Sequence, residues 1–275
     1  MPRAEINGRP LEYQDRGDGR PVLLIHGTGG FMGLWDELAE ALSETHSVVW
    51  HDRRGFGSSG GEPARKLAQH VEDAAGLLDR LEIPSAGVVD WSGGGVIALG
   101  LAVSHPDRVS ALALAEPAVH LTTHPSLTTL RMMLRAQIAR RIRRDDRAAA
   151  LAMYRWAGRY TTGGNAFDAY PEEWRGVMLG HAAATVAEMD QGAALYPSKD
   201  KLRSISCPVT CFVGEIAEPV FARLTRFLRS VLPATGVVTI EGASHMLPTD
   251  RPRELAGAVR DVLAAAEGVG SANRA

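Results

Sequence analysis

The chain has 275 residues, 45% of them hydrophobic and 23% charged, enough for one large α/β domain or two small ones. A formal net charge of −2 excludes a global field favouring nucleic acid or acidic lipid. No apolar run approaches the roughly 20 residues of a membrane helix.

The N-terminal stretch "MPRAEINGRPLEYQDRGDG" has no apolar segment of the kind a secretory signal needs. The only cysteines, Cys207 and Cys211, lie too close together on a predicted strand for an easy disulfide, and two thiols make no zinc site. Both read as core residues. Together these features point to a reducing cytoplasm, with no nucleic-acid or membrane partner.

In chain order, "LEYQDRG" reads as an edge strand. Short runs rich in Val, Ile and Leu then recur at 21–27, 46–52, 86–92, 109–117, 209–215 and 236–242. They are continuous rather than alternating, as strands buried on both faces of a parallel sheet should be. Helical patterns separate them at 34–44, 67–81, 94–104, 220–230 and 252–266. This alternation predicts βαβ units and a mostly parallel sheet with helices on both faces.

Residues 118–204 carry no strand-like run and read as a helical lid inserted into a core made of 1–117 and 205–275. The lid's arginine cluster (Arg140, Arg141, Arg143, Arg144 and Arg147) reads as a solvated helix face, helped by Asp145 and Asp146.

The stretch "GVVDWSGGGVIAL" (87–99) runs from a strand into a helix across a serine followed by three glycines. A strand that turns sharply into a helix exposes the corner side chain, and small neighbours let the helix pack close to the strand. Ser92 is therefore a candidate nucleophile. A serine needs a base within reach, and "EGASHMLPTDRPREL" supplies His245 late in the chain, before the last predicted helix. A developing oxyanion needs donors. The Thr28 amide in the Gly-rich "HGTGG" loop and the Gly93 amide just after the serine are the candidates.

Four motifs in this order resemble those of the α/β-hydrolase superfamily: "HGTGG", "HDRRGFGSSG", "WSGGGVIALGLAVSHPDRVSALALAEPA" and "GASHMLPTDRPREL". The resemblance covers nearly the whole chain except the lid. It implies an α/β-hydrolase fold and a Ser-His-acid triad carried onto Ser92 and His245, with no metal or organic cofactor. His26 corresponds to the family's structural loop histidine, and the other histidines, among them His51 and His70, read as surface or lid residues.

Two departures stand out. Asp90 occupies a position where the family usually has Gly, and "DWSGG" resembles the Asp-Trp pair of haloalkane dehalogenases, whose Asp is the nucleophile. In the superfamily the nucleophile precedes the Pro closing the elbow helix by about fourteen residues. Pro106 lies fourteen residues after Ser92 and sixteen after Asp90, which favours Ser92. The second departure is the acid. The usual position reads Ala217, and Glu215 and Glu218 are out of register. Some relatives place the acid at the end of the preceding strand, here Glu116, so the resemblance offers Glu116, with Glu218 as the alternative and no working acid as a third reading.

The expected activity is hydrolysis of a small or medium carboxylic ester or lactone. Carbon–carbon bond hydrolysis, perhydrolysis, a lyase or cyclase step, and non-catalytic binding are the alternatives. Trp91, Met133 and Trp156 are the candidate pocket residues for a small-molecule substrate; oligomeric state is left open.

Overall fold

The apolar runs of the sequence become the middle of one eight-stranded sheet in a computed structural model that describes residues 2–191, 197–232 and 234–272. The strands are β1 (Arg3–Ile6), β2 (Arg9–Arg16), β3 (Arg20–Ile25), β4 (His46–His51), β5 (Ala86–Trp91), β6 (Val109–Ala115), β7 (Val209–Gly214) and β8 (Gly236–Ile240). Their order across the sheet is β1-β2-β4-β3-β5-β6-β7-β8. The first two pairings are antiparallel and all the others are parallel.

Successive residues of a strand face opposite sides, so the central strands feed two cores at once. Leu24, Val48, Val89 and Phe212 belong to one apolar cluster. Leu23, Ile25, Val88 and Cys211 belong to the other. This two-sided burial is why these runs are continuous rather than alternating.

The helices are α1 (Asp36–Ser43), α2 (Leu67–Arg80), α3 (Gly94–Ser104), α4 (Leu127–Arg141), α5 (Asp146–Ala157), α6 (Ala166–Ala169), α7 (Glu172–Gly180), α8 (Ala182–Asp190), α9 (Lys199–Leu202), α10 (Pro219–Val231), α11 (Leu247–Asp250) and α12 (Pro252–Ala272). Helices α1 and α12 cover one face of the sheet, and α2 and α3 cover the other.

"LEYQDRG" is not at the edge. Strand β2 is flanked by β1 and β4, and β1 is the strand that the sequence reading lacked. Asn7 and Gly8 join β1 to β2 with φ values of 50° and 71°. Two residues in the left-handed region make the tight hairpin turn that Asn-Gly favours, so the signal was present but attached to only four residues of strand. Cys211 is buried in β7 and Cys207 half-buried before it, both as free thiols. Burial pushes the Cys207 thiol up to about 11 and raises that of Cys211 further.

Between β6 and β7 lie α4 to α9, a helical insertion resembling a lid. Residues 192–196 within this span lie outside the described residues. Beside its apolar contacts with the core, one attachment is polar and buried. Arg53, just past β4, makes a two-pronged ion pair with Glu188 of α8, and His70 Nε2 of α2 lies 2.8 Å from the same carboxylate. All three side chains are at least 95% buried. His70 and His51 are therefore core residues rather than surface ones: the cationic strand end is closed over by the insertion, which the local sequence does not reveal.

Burial raises the cost of charge on Glu188, but Arg53 and His70 more than offset it and hold its carboxyl well below the usual range. A guanidinium does not lose its proton in a protein, so removing the carboxylate strands a buried charge. Glu188→Ala is expected to lower the unfolding free energy by about 3–5 kcal/mol, the range for breaking one side of a buried pair. Urea denaturation monitored by tryptophan fluorescence checks this. A loss below 1 kcal/mol would mean that water reaches Arg53 freely.

Candidate active site

At the end of β5 the chain reverses into α3 through Ser92, whose φ is 56°. A non-glycine residue in the left-handed region costs of order 1–3 kcal/mol and persists only where its surroundings enforce it. Here Ser92 N donates to Ala115 O at 2.9 Å, while Ser92 O accepts from Gly95 N at 3.0 Å and Ala118 N at 2.9 Å. The glycines after it are required by space. A Cβ at position 93 would lie 2.1 Å from Thr28 Oγ1, and one at position 94 would lie 2.3 Å from Ile25 O. The loop after β3 and the start of α3 are thus in direct backbone contact.

The loop 26–30 is held by its carbonyls. Arg53 donates to Gly27 O at 3.0 Å, and His181 Nε2 of the insertion lies 3.0 Å from Gly29 O. His26 is a structural link, with Nδ1 2.9 Å from Gly27 O and Nε2 accepting from Arg53 N at 3.0 Å. Burial, reinforced by Arg53, holds its pKa well below the ordinary value, so the ring is neutral. Neither the Thr28 nor the Gly93 amide donates to an acceptor among the described residues.

Glu116 follows β6 directly and also has a left-handed backbone, φ 48°. Its Oε2 lies 2.7 Å from His245 Nδ1, and its Oε1 accepts from Gly214 N at 2.8 Å. Both side chains are fully buried. Burial pushes the His245 imidazolium down to about 3, partly opposed by Asp250. The same desolvation pushes the Glu116 carboxyl up, and the Gly214 N–H opposes it by favouring the ionised form. His245 Nε2 is buried with no hydrogen-bond partner among the described residues.

The other candidates divide. Glu218 is buried but faces the insertion, where its Oε1 accepts from Thr128 Oγ1 at 2.5 Å. Trp91 Nε1 donates to His245 O at 2.7 Å, so this side chain ties the serine corner to the histidine loop. Met133 is half-buried against the insertion's core, and Trp156 packs on Phe221 with ring centroids 5.6 Å apart. Phe221 itself stacks on His245 at 3.6 Å and 6°. Sequence reasoning missed Phe221, since α10 gives no local sign that its first turn reaches a loop after β8.

Asp90 is fully buried on β5, opposite Ile25 and Leu114, in the layer facing α2 and α3. Its carboxyl occupies the space left by Gly95, where a Cβ would come within 2.8 Å of Oδ1. Neither oxygen has a partner among the described residues, and burial alone raises its pKa well above the ordinary carboxylate value.

The alpha/beta hydrolase fold family model matches residues 20–155. A putative carbamate hydrolase, RutD, of Azorhizobium caulinodans is 36% identical over 115 residues, 42% of this chain and 43% of the relative. The chain thus matches less than half the length of this curated relative. Among solved structures, an enol-lactonase from Burkholderia xenovorans LB400 superposes with a TM-score of 0.79 at 22% identity, over 96% of this chain and 100% of that one. An esterase from Thermogutta terrifontis superposes with a TM-score of 0.78 at 26% identity, over 97% and 99%. The fold is that of the α/β hydrolases, and residues 20–155 carry the match to that family's model.

The state of Asp90 gives a test with a definite sign. Its folded pKa is raised, so the folded state keeps a proton that the unfolded chain releases near pH 4, and stability falls as pH rises from there toward the folded value. One such group changes stability by up to about 1.4 kcal/mol per pH unit. Asp90→Asn removes this titration, so the stability of the variant relative to the parent should rise as pH increases from 4, until the folded pKa is passed, in parallel denaturation series run to pH 8. A constant difference across that range would show that Asp90 does not hold its proton.

Proposed function

We propose that the protein is a serine hydrolase acting on small or medium carboxylic esters or lactones, with residues 118–204 serving as its lid over a core of 1–117 and 205–275. The observation that carries this is the pairing of a left-handed Ser92 at the corner of β5 and α3 with the 2.7 Å contact between His245 Nδ1 and Glu116 Oε2. In this reading Ser92 Oγ attacks the carbonyl carbon. His245 Nε2, which carries the lone pair when the ring proton sits on Nδ1, takes the hydroxyl proton. Glu116 accepts from Nδ1–H, fixing that tautomer and balancing the imidazolium as it forms.

The negative charge that develops on the carbonyl oxygen is met by the Thr28 and Gly93 amides, which the contact between loop 26–30 and the start of α3 brings side by side. His245 then returns the proton to the leaving oxygen. A water deprotonated by the same nitrogen hydrolyses the acyl-enzyme and frees Ser92. A lactonase and an esterase are among the solved structures of similar fold, which supports this class of substrate. Glu116 rather than Glu218 takes the acid's role, because Glu218 is engaged by Thr128. Trp91, Met133 and Trp156 line or support the pocket.

Labelling with a fluorophosphonate probe followed by peptide mass spectrometry should place the adduct on Ser92, and Ser92→Ala should lose about 10³-fold or more in kcat on p-nitrophenyl esters. An adduct elsewhere, or an active alanine variant, would overturn the assignment. Glu116→Gln should lower kcat by roughly 10²–10⁴, by analogy with the amide replacement of a triad carboxylate, whereas Glu218→Gln should cost little. The reverse order would move the role to Glu218. If Met133 and Trp156 shape the pocket, alanine at either position should change relative kcat/KM across ester chain lengths more than about threefold, roughly 0.65 kcal/mol.

A further inference from the structure

Helix α4 begins at Ser126, whose side chain accepts from Thr129 N, and packs its Met132, Ala136 and Ala139 inward. Its opposite face is apolar and open. Leu127 is 73% exposed, Leu130 50%, Leu134 61% and Ile138 37%, and Ile142, just past the helix, is 76% exposed. Spacings of three and four residues put these side chains in one stripe along the helix. Scattered exposed leucines need no explanation, but five of the six large apolar side chains exposed among the described residues lie in this segment.

The stripe is bordered by positive charge. Between Leu127 and Arg147 there are seven arginines and two aspartates. Arg140 is paired with Asp190. Arg131, Arg135, Arg141 and Arg143 are exposed and have no carboxylate partner among the described residues. At helical spacing Arg131 and Arg135 border one side of the stripe and Arg141 the other. Beside it, a crease of about 600 Å³ between α4 and α5 has Arg131, Arg135 and Arg143 on one wall and Arg155 and Arg159 on the other, with Leu151 and Trp156 also lining it.

We propose that this face of the insertion docks on an anionic lipid surface, the leucine stripe entering the acyl boundary and the flanking arginines meeting headgroup phosphates. Apolar side chains on one face of a helix with arginines along its borders form the pattern of helices that lie in a membrane interface. A second copy of the chain is the poorer occupant, because pairing α4 against α4 about a two-fold axis sets rows of unpaired arginines against each other. No described helix is long and apolar enough to cross a membrane, so the contact is peripheral. The arginine cluster that reads in sequence as a solvated face thus borders an apolar stripe that the same reading did not separate from the lid's core.

The test is flotation of the full chain with vesicles of phosphatidylcholine alone or with 30 mol% phosphatidylglycerol. Binding to the anionic vesicles at low salt should exceed that to the neutral ones at least tenfold. Leu130→Ser with Leu134→Ser, and separately Arg131→Glu with Arg135→Glu, should each reduce it at least tenfold. Unchanged circular dichroism and melting temperature would show that these surface variants remain folded. Absence of binding, or leucine variants that bind as the parent does, would overturn the proposal. So would light scattering that finds a dimer which the leucine variants split, since the stripe would then be a self-interface.

Discussion

The constraint on which the site depends is the contact between the corner at Ser92 and the loop 26–30. A left-handed serine is held there by hydrogen bonds to the end of β6 and the segment beyond it, and the helix that follows begins against the carbonyl of Ile25. Any side chain at position 93 or 94 would drive α3 away from β3 and separate the amides of Thr28 and Gly93. The strain is small against the packing that fixes it. The sheet supplies that packing, because β3, β5 and β6 are adjacent and buried on both faces. The same adjacency sets Glu116 one strand away from Ser92, where its own left-handed backbone lets the carboxylate reach the histidine loop.

The parallel sheet and the serine corner were legible because both are written locally. A strand buried on both faces must be apolar throughout, and a tight corner must be surrounded by small residues. Strand β1 was hidden by its length, although Asn7-Gly8 announced its turn. Glu116 could be reached only through a likeness to relatives, since one glutamate at a strand end has no pattern of its own. Phe221 and Glu188 had no local signal. Their roles arise from contacts across 24 and 135 residues of chain respectively, which periodicity does not encode.

Burial is used in two opposite ways around the site. Arg53, Glu188 and His70 keep charge inside by pairing it. Asp90, by contrast, sits in an apolar layer with no partner among the described residues. A carboxyl in such surroundings favours its neutral form, because desolvation penalises the ion with no compensating contact. The space that admits it is left by Gly95, so the unusual residue before the serine and the run of glycines after it form one packing solution rather than two separate features.

The pairing of Arg53 with Glu188 also decides how the insertion can move. Swinging α8 outward would separate a guanidinium from its counter-ion inside a dry interior, and the same arginine holds the carbonyl of Gly27. Motion at that end would disturb loop 26–30 as well. The α4–α5 hairpin is tied in by other contacts: Tyr154 of α5 lies against Gly29 of the same loop, and Thr128 of α4 donates to Glu218 at the start of α10, so both ends of the insertion bear on the loop and strand ends around Ser92.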